Sequence, residues 1–340
     1  MTIKDVAEYS GVSVSTVSRV LNEHPDVSDA VRRRVLDAVH ELHYVPNNSA
    51  RDLVRPQSDA LGVIVRGAMN PFYTPVLRSM EKAAEGAGYA LAIHPIRSDD
   101  DELRAAAALT RSKRLKGIVL LGGCYDYTPT QVVALGVPFV SCTFSNGFGT
   151  LDPASYSSVS IDDRAEACRA VQLLLARGHR RIAVLLDRVN DHSVSELRYR
   201  GYCDALAEAG VPVNEALTAE TFDFSMEAAY NRMRRLIDSG AEFTALFAIA
   251  DTMAMAAMKA LHDAGRRVPE DCAVIAIDGL EMTQYTIPTL TTLIQPKEVF
   301  GAQAVELLTD ILERGGANRH IRLETTLRPG GTLGDCRPAE

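Results

Sequence analysis

The chain has 340 residues, is 46% hydrophobic and 24% charged, contains no Trp, and carries a formal net charge of −8. That length supports two or three domains around a large core. The charge excludes a polycation, so contact with a polyanion has to be made locally by a few placed arginines.

Residues 1–45 read as three short helices. Thr2 with Asp5 three residues on is a capping-box signature, and Ile3, Val6 and Ala7 then share one face. Gly11 supplies a turn, since glycine tolerates positive φ. Ser13 caps a second helix with Val17, Val20 and Leu21 inward, and "EHPD" breaks it. Ser28 caps a third, where Val31, Val35, Val39 and Leu42 recur at helical spacing. The run "YVPNNS" ends this unit, because the residue before a proline is pushed out of helix. Residues 46–58 are long enough for one or two helical turns that are not stable alone, and are read as a hinge.

From Ala60 the rhythm changes. "ALGVIV", "YALAIHPI", "GIVLLGG" and "PFVSCTF" are apolar runs separated by helical stretches, and "SSVSID", "RIAVLLD", "ALTAETF", "ALFAIA" and "CAVIAID" form a second series. Such alternation predicts parallel sheets covered on both faces. The expected fold class is a small all-α helix-turn-helix headpiece plus an α/β core of two Rossmann-like lobes. The core, 59–340, is expected to divide into a first lobe of about 59–158 and 290–319 and a second of about 159–289 and 320–338, with "TLTTLIQ" returning to the first lobe and "HIRLETTL" finishing the second.

"DVAEYSGVSVSTVSRVL" fits two helices crossing at a small residue, Ala7, with a turn at Gly11 and Val17 filling the gap, which is the packing logic of a helix-turn-helix. Ser15, Thr16, Ser18 and Arg19 are left outward. Short hydroxyls reach phosphates without holding a helix off the groove floor, and an arginine can bond bidentately to guanine. Residues 1–57 hold seven basic and eight acidic side chains, so placement rather than bulk charge argues for DNA.

The run "TIKDVAEYSGVSVSTVSRVLN", followed by "VS" at Val27–Ser28 and by "YVPNNSARDL", resembles the headpiece and hinge of the lactose-repressor (LacI/GalR) family. The resemblance continues through "NPFY", "GHRRIAVL", "ELRYRGYCDAL", "RVPEDCAVIAIDG", "PTLTTLIQP" and "RPGGT". It implies a core like the periplasmic sugar-binding proteins and a dimeric, ligand-responsive repressor of a pseudopalindromic operator. By the same resemblance Val14, Ser15 and Arg19 read bases and Thr16, Ser18 and Asn22 contact phosphates. Leu53 wedges into the minor groove with Ala50 beside it. In the cleft between the lobes, Phe72, Tyr73 and Phe224 would stack on the effector, with Arg198 and Asp278 bonding its polar groups and Thr143 facing it. Three positions depart from the family pattern: Ala250 before Asp251, Gly279 after Asp278, and Thr143 where an acid is frequent. They leave open an effector less hydroxylated than a hexose, one carrying an anion for Arg198, or a pocket that binds nothing.

The six cysteines are widely spaced with no metal-type pattern, so no metal site, disulfide framework or cofactor is implied. No apolar run reaches the length of a membrane span and no apolar signal core opens the chain, so a cytoplasmic location is expected. Catalysis is not expected, since no G-x-G-x-x-G follows the first strand and no P-loop, H-E-x-x-H or G-x-S-x-G occurs. The alternative, a sugar-type solute-binding protein without gene-regulatory role, leaves residues 1–57 unexplained.

Overall fold

The computed structural model describes residues 2–21, 24, 26–42, 59–67, 70–222 and 224–336, so Asn22, Ala50, Leu53 and the hinge at 46–58 lie outside the described residues. The chain forms two compact units, one up to Ser58 and one from Asp59.

In the first unit, α1 (Ile3–Ser10) opens on a reciprocal cap. The Thr2 main-chain N–H donates to Asp5 Oδ2 at 2.7 Å, and the Asp5 N–H donates to Thr2 Oγ1 at 3.4 Å. Gly11 ends the helix at φ 64°, its N–H turned back to the Ala7 and Glu8 carbonyls. Nothing lies within 4 Å of where a Gly11 β-carbon would sit, so the backbone angle, not space, asks for glycine. Ser13 Oγ accepts the Thr16 N–H at 3.2 Å and starts α2 (Val14–Leu21). Val17 and Val20 then close on Val6 and Ala7 of α1 and on Val35 and Ala38 of α3 (Asp29–Glu41). Ser28 precedes α3 in extended conformation, as expected, but its side chain makes no cap bond.

The second unit alternates strand and helix. Its first stretch holds β1 (Ala60–Arg66), α4 (Tyr73–Gly86), β2 (Ala90–Ile96), α5 (Glu102–Lys113), β3 (Gly117–Leu121), β4 (Phe139–Cys142) and β5 (Ser157–Ser160). The next holds α6 (Asp163–Leu175), β6 (Ile182–Leu186), α7 (Val194–Glu208), β7 (Thr218–Glu220), α8 (Met226–Asp238), β8 (Ala245–Ala248), α9 (Asp251–Asp263), β9 (Ala273–Asp278) and β10 (Thr291–Ile294). The chain then adds α10 (Lys297–Arg314), β11 (His320–Arg322) and β12 (Thr326–Arg328). Two six-stranded sheets result, ordered β11-β5-β4-β3-β1-β2 and β12-β10-β9-β8-β6-β7. Among the described residues every strand pairing is parallel except that of β12 with β10. β1, β3 and β4 of the first sheet and β6, β8 and β9 of the second are buried almost throughout, as helices on both faces require.

Three lobe boundaries differ from expectation. β5 pairs with β4 and so belongs wholly to the first lobe; β10 pairs with β9 in the second; β11 returns to the first beside β5. The chain therefore passes between lobes after β5, after β10 and after β11. An apolar run states that a strand is buried, but its partner is a long-range matter of register, so sequence pattern does not assign these three strands to a sheet. Two glycines let helices meet closely. A β-carbon on Gly301 of α10 would lie 2.2 Å from the Val76 carbonyl oxygen of α4, and one on Gly201 of α7 would lie 2.1 Å from the Arg164 carbonyl oxygen of α6.

Candidate functional site

On α2, the turns that bury Val17 and Val20 leave Val14, Ser15 and Arg19 exposed and Thr16 and Ser18 half-buried. Ser13 gathers the nearest hydroxyls, with Oγ–Oγ 2.7 Å to Ser15 and 2.9 Å to Thr16 Oγ1. Arg19 Nη1 lies 3.2 Å from Asp26 Oδ2, and its side chain is 60% exposed. An exposed ion pair of this kind is worth about 0–1 kcal/mol. A bidentate arginine–guanine contact is worth about 1–3 kcal/mol, so the pair can be exchanged for a base at little cost.

The interlobe site is built at the carboxyl ends of parallel strands, where open α/β sheets take their ligands. Arg198, on the second turn of α7, is 5% exposed. Its Nε donates to Asp163 Oδ1 at 2.9 Å and its Nη1 to the Ile249 carbonyl, while Asp278 Oδ1 lies 3.6 Å from Nη1. Burial lowers the affinity of this guanidinium for its proton, but Asp163 and Asp278 more than offset that and keep it charged. Burial also pushes the Asp163 carboxyl up to about 6 despite Arg198, and raises Asp278 against the opposing pull of Arg198 and Lys297. Arg198 is thus neutralised within the protein and does not offer a bare positive charge.

Asp278, at φ 138°, is strained at the end of β9, and Gly279 follows at φ 67°, which glycine adopts freely. The turn is held from α10 and the segment before it: Gln295 Nε2 donates to Asp278 Oδ1 at 2.9 Å, and Lys297 Nζ donates to the Asp278 and Gly279 carbonyls at 2.8 and 2.9 Å. A β-carbon on Gly279 would lie 2.6 Å from Ile294 Cα of β10, which explains why no second acid stands there. Beside it the fully buried Asp251 accepts from Thr292 Oγ1 at 2.5 Å and from the Leu280 N–H at 2.7 Å. Burial and then Asp278 raise its carboxyl, and burial lowers the Lys297 ammonium.

The first lobe faces this cluster with tyrosines. Burial raises the Tyr73 hydroxyl, and the carboxylate of Asp278 adds to the shift; burial likewise raises Tyr125, which senses Asp163 and Arg198. Gly122 clears room for Tyr73, whose hydroxyl occupies the space a β-carbon would need. Thr143, at φ 73°, donates its N–H to the Val159 carbonyl at 2.8 Å and lies beside Tyr125, whose hydroxyl is 3.5 Å from the Thr143 carbonyl.

The expected residues are placed unevenly. Arg198 and Asp278 meet, and Tyr73 and Thr143 stand on the first-lobe side. Phe72 does not offer a stacking face: it is 4% exposed, packed edge-on to Phe300 within the first-lobe core, because it immediately precedes α4 where the helix must seal against α10. Phe224 is half-buried against the second-lobe core, while Phe222, at φ 60°, is 64% exposed with the Arg188 guanidinium 5.7 Å from its ring centroid. Asp163, Lys297, Gln295 and Tyr125 escaped sequence reasoning. The only signal for the first three is position, just beyond a strand end.

A helix-turn-helix unit joined to a two-lobed α/β core with a charged interlobe site defines a ligand-responsive DNA-binding regulator. The profile described as bacterial regulatory proteins, lacI family, matches residues 2–47, and that of the periplasmic binding protein-like domain matches residues 171–333. The HTH-type transcriptional regulator MalR of Clostridium butyricum is 35% identical over 333 residues, covering 96% of this chain and 97% of that protein. The ribose operon repressor of Escherichia coli strain K12 is 32% identical over 311 residues, covering 90% of this chain and 92% of that one. Among solved structures, a transcriptional regulator CelR–cellobiose complex superposes with a TM-score of 0.73 at 30% identity, and a Lac repressor dimer bound to operator with 0.78 at 26%, each over 98% of this chain and 99% of the other. The chain belongs to the LacI family. It is a DNA-binding transcriptional repressor with a small-molecule effector, a reading that accounts for the headpiece where a solute-binding protein does not. These relatives are transcriptional regulators, not enzymes, and among the described residues no helix is long and apolar enough to cross a membrane.

Proposed function

We propose that the effector is a neutral saccharide held between the lobes, and that the protein works in the cytoplasm as a homodimer on a pseudopalindromic operator. The observation that carries the effector class is the double compensation of Arg198 by Asp163 and Asp278. A site already balanced in charge favours a ligand that exchanges hydroxyl hydrogen bonds with guanidinium and carboxylate, and it disfavours an anion. Tyr73 and Thr143 serve the ligand from the first lobe, and Phe224 borders it from the second. The relative named as a ribose operon repressor and the solved CelR–cellobiose complex agree with that class.

On DNA, Val14, Ser15 and Arg19 read base edges, Thr16, Ser18 and Asn22 hold phosphates, and Leu53 with Ala50 opens the minor groove at the operator centre. No cofactor enters this scheme. The test is a thermal-shift series on the full chain with maltose, cellobiose, ribose, glucose 6-phosphate and citrate. A rise in melting temperature with a neutral sugar is the expected result. A rise only with the phosphate or the carboxylate overturns the reading.

A further inference from the structure

Away from Arg198 the two lobes touch through a second set of contacts. The loop between β6 and α7 carries His192 at φ 53°. Its carbonyl accepts the Tyr125 N–H from the first lobe at 3.2 Å, and its Nδ1 lies 3.2 Å from Asp126 Oδ2. The imidazole stacks on Phe148 of the first lobe, centroids 5.0 Å apart and planes 20° apart. The Arg200 guanidinium sits 4.9 Å from the centroid of the same Phe148 ring. Glu196 organises the second-lobe side, accepting the His192 N–H at 2.9 Å and Arg200 Nη2 at 2.6 Å. On the first-lobe side, the Phe148 N–H donates to the Tyr125 carbonyl at 2.7 Å and the Thr150 N–H to the Tyr127 carbonyl at 3.0 Å, so two loops form one surface. Val194 and Leu197, from the first turn of α7, pack on the hydrophobic core of the first lobe.

We infer that His192, Arg200, Phe148 and Asp126 form a clasp that holds the start of α7 on the first lobe. Through it these residues regulate the effector site. The link is mechanical: α7 carries Arg198 between Leu197, packed on the first lobe, and Arg200, seated on Phe148. Opening the clasp releases the helix that aims the guanidinium. A hydrogen bond, a ring stack and a cation–ring contact on half-exposed side chains are individually weak, so the clasp can open without unfolding either lobe. The inference rests on the reading that the effector sits at Arg198.

The Tyr125 amide is a direct reporter, because its acceptor is in the other lobe, whereas the Thr150 amide is bonded within the first lobe. Hydrogen exchange on the ligand-free full chain is compared between wild type, His192→Ala with Arg200→Ala, and Asp126→Asn. The double variant is expected to exchange at Tyr125 about tenfold faster, with Thr150 unchanged and Asp126→Asn intermediate. Unchanged exchange at Tyr125, or a parallel rise at Thr150 showing loss of the lobe itself, overturns the clasp. Maltose, cellobiose and ribose titrations on wild type run alongside. Failure of all three counts against the saccharide reading, while the exchange ratio still decides the clasp.

Discussion

Lys297 places its ammonium against the main-chain oxygens of Asp278 and Gly279, not against the Asp278 carboxylate. Its third acceptor is the Gln295 carbonyl at 3.3 Å. The lysine therefore acts as a cap for a strained turn whose carbonyls converge, and it leaves the carboxylate of Asp278 to Gln295 and Arg198.

Lys297→Met is expected to strip the Gly279 carbonyl of its ammonium donor and to take one donor from the Asp278 and Gln295 carbonyls, which keep the Gln295 and Lys297 N–H groups, and so to destabilise the core by about 1–3 kcal/mol. Lys297→Gln, which keeps an N–H donor, should recover part of that. Urea unfolding of the full chain followed by circular dichroism measures both; equal loss in the two variants would contradict the capping role.

Arg198→Met should weaken saccharide binding at least about 30-fold, since it removes a donor set and strands two buried carboxyls. Operator binding without effector should survive. Calorimetric titration with the sugar that raises the melting temperature, paired with an operator gel shift, separates the two effects.

For DNA, Arg19→Ala should cost about 1–3 kcal/mol on operator and relax base preference at one position per half-site. Asp26→Ala should leave that preference intact, because the Arg19–Asp26 pair is exposed. Selection from a randomised half-site library reads this directly. An unchanged preference profile for Arg19→Ala would remove the residue from base reading.

Stability should depend on pH through the interlobe carboxyls. Asp163 folds with its carboxyl raised from 3.8 to about 6, and burial also raises Asp251 and Asp278. A raised carboxyl contributes stability that is complete below about pH 4 and is lost as pH rises through the folded value. For Asp163 that is at most about 3 kcal/mol, at ~1.4 kcal/mol per tenfold in proton affinity. The exposed Arg164–Asp204 pair lowers the Asp204 carboxyl and acts in the opposite sense, but solvent screens it. Unfolding midpoints in urea should therefore fall between pH 5 and pH 7.5, and Asp251→Asn should flatten the slope.

The headpiece was legible almost residue by residue because its information is local: a cap at Thr2, a turn at Gly11, and valines at helical spacing. The α/β alternation was equally plain. The placement of β5, β10 and β11 was not, since these strands are three or four residues long and rich in Ser, Thr, His and Arg, and only pairing partners assign them to a sheet. In the interlobe site, Arg198 and Asp278 came from family resemblance. Asp163 and Lys297 stand 35 and 19 positions from their partners, Arg198 and Asp278, and converge only when strand ends do. Phe72 shows the limit of residue type as a guide, because an aromatic ring serves a core and a ligand equally well until its exposure is known.

The three passages of chain between the lobes bear on biosynthesis. The first sheet receives its outer strand from His320–Arg322 and a covering helix from Lys297–Arg314, so a nascent polypeptide halted anywhere earlier holds an unfinished first lobe. Neither half can be excised as one contiguous gene fragment. The two lobes are completed together, once the stretch from His320 to Arg328 has been made.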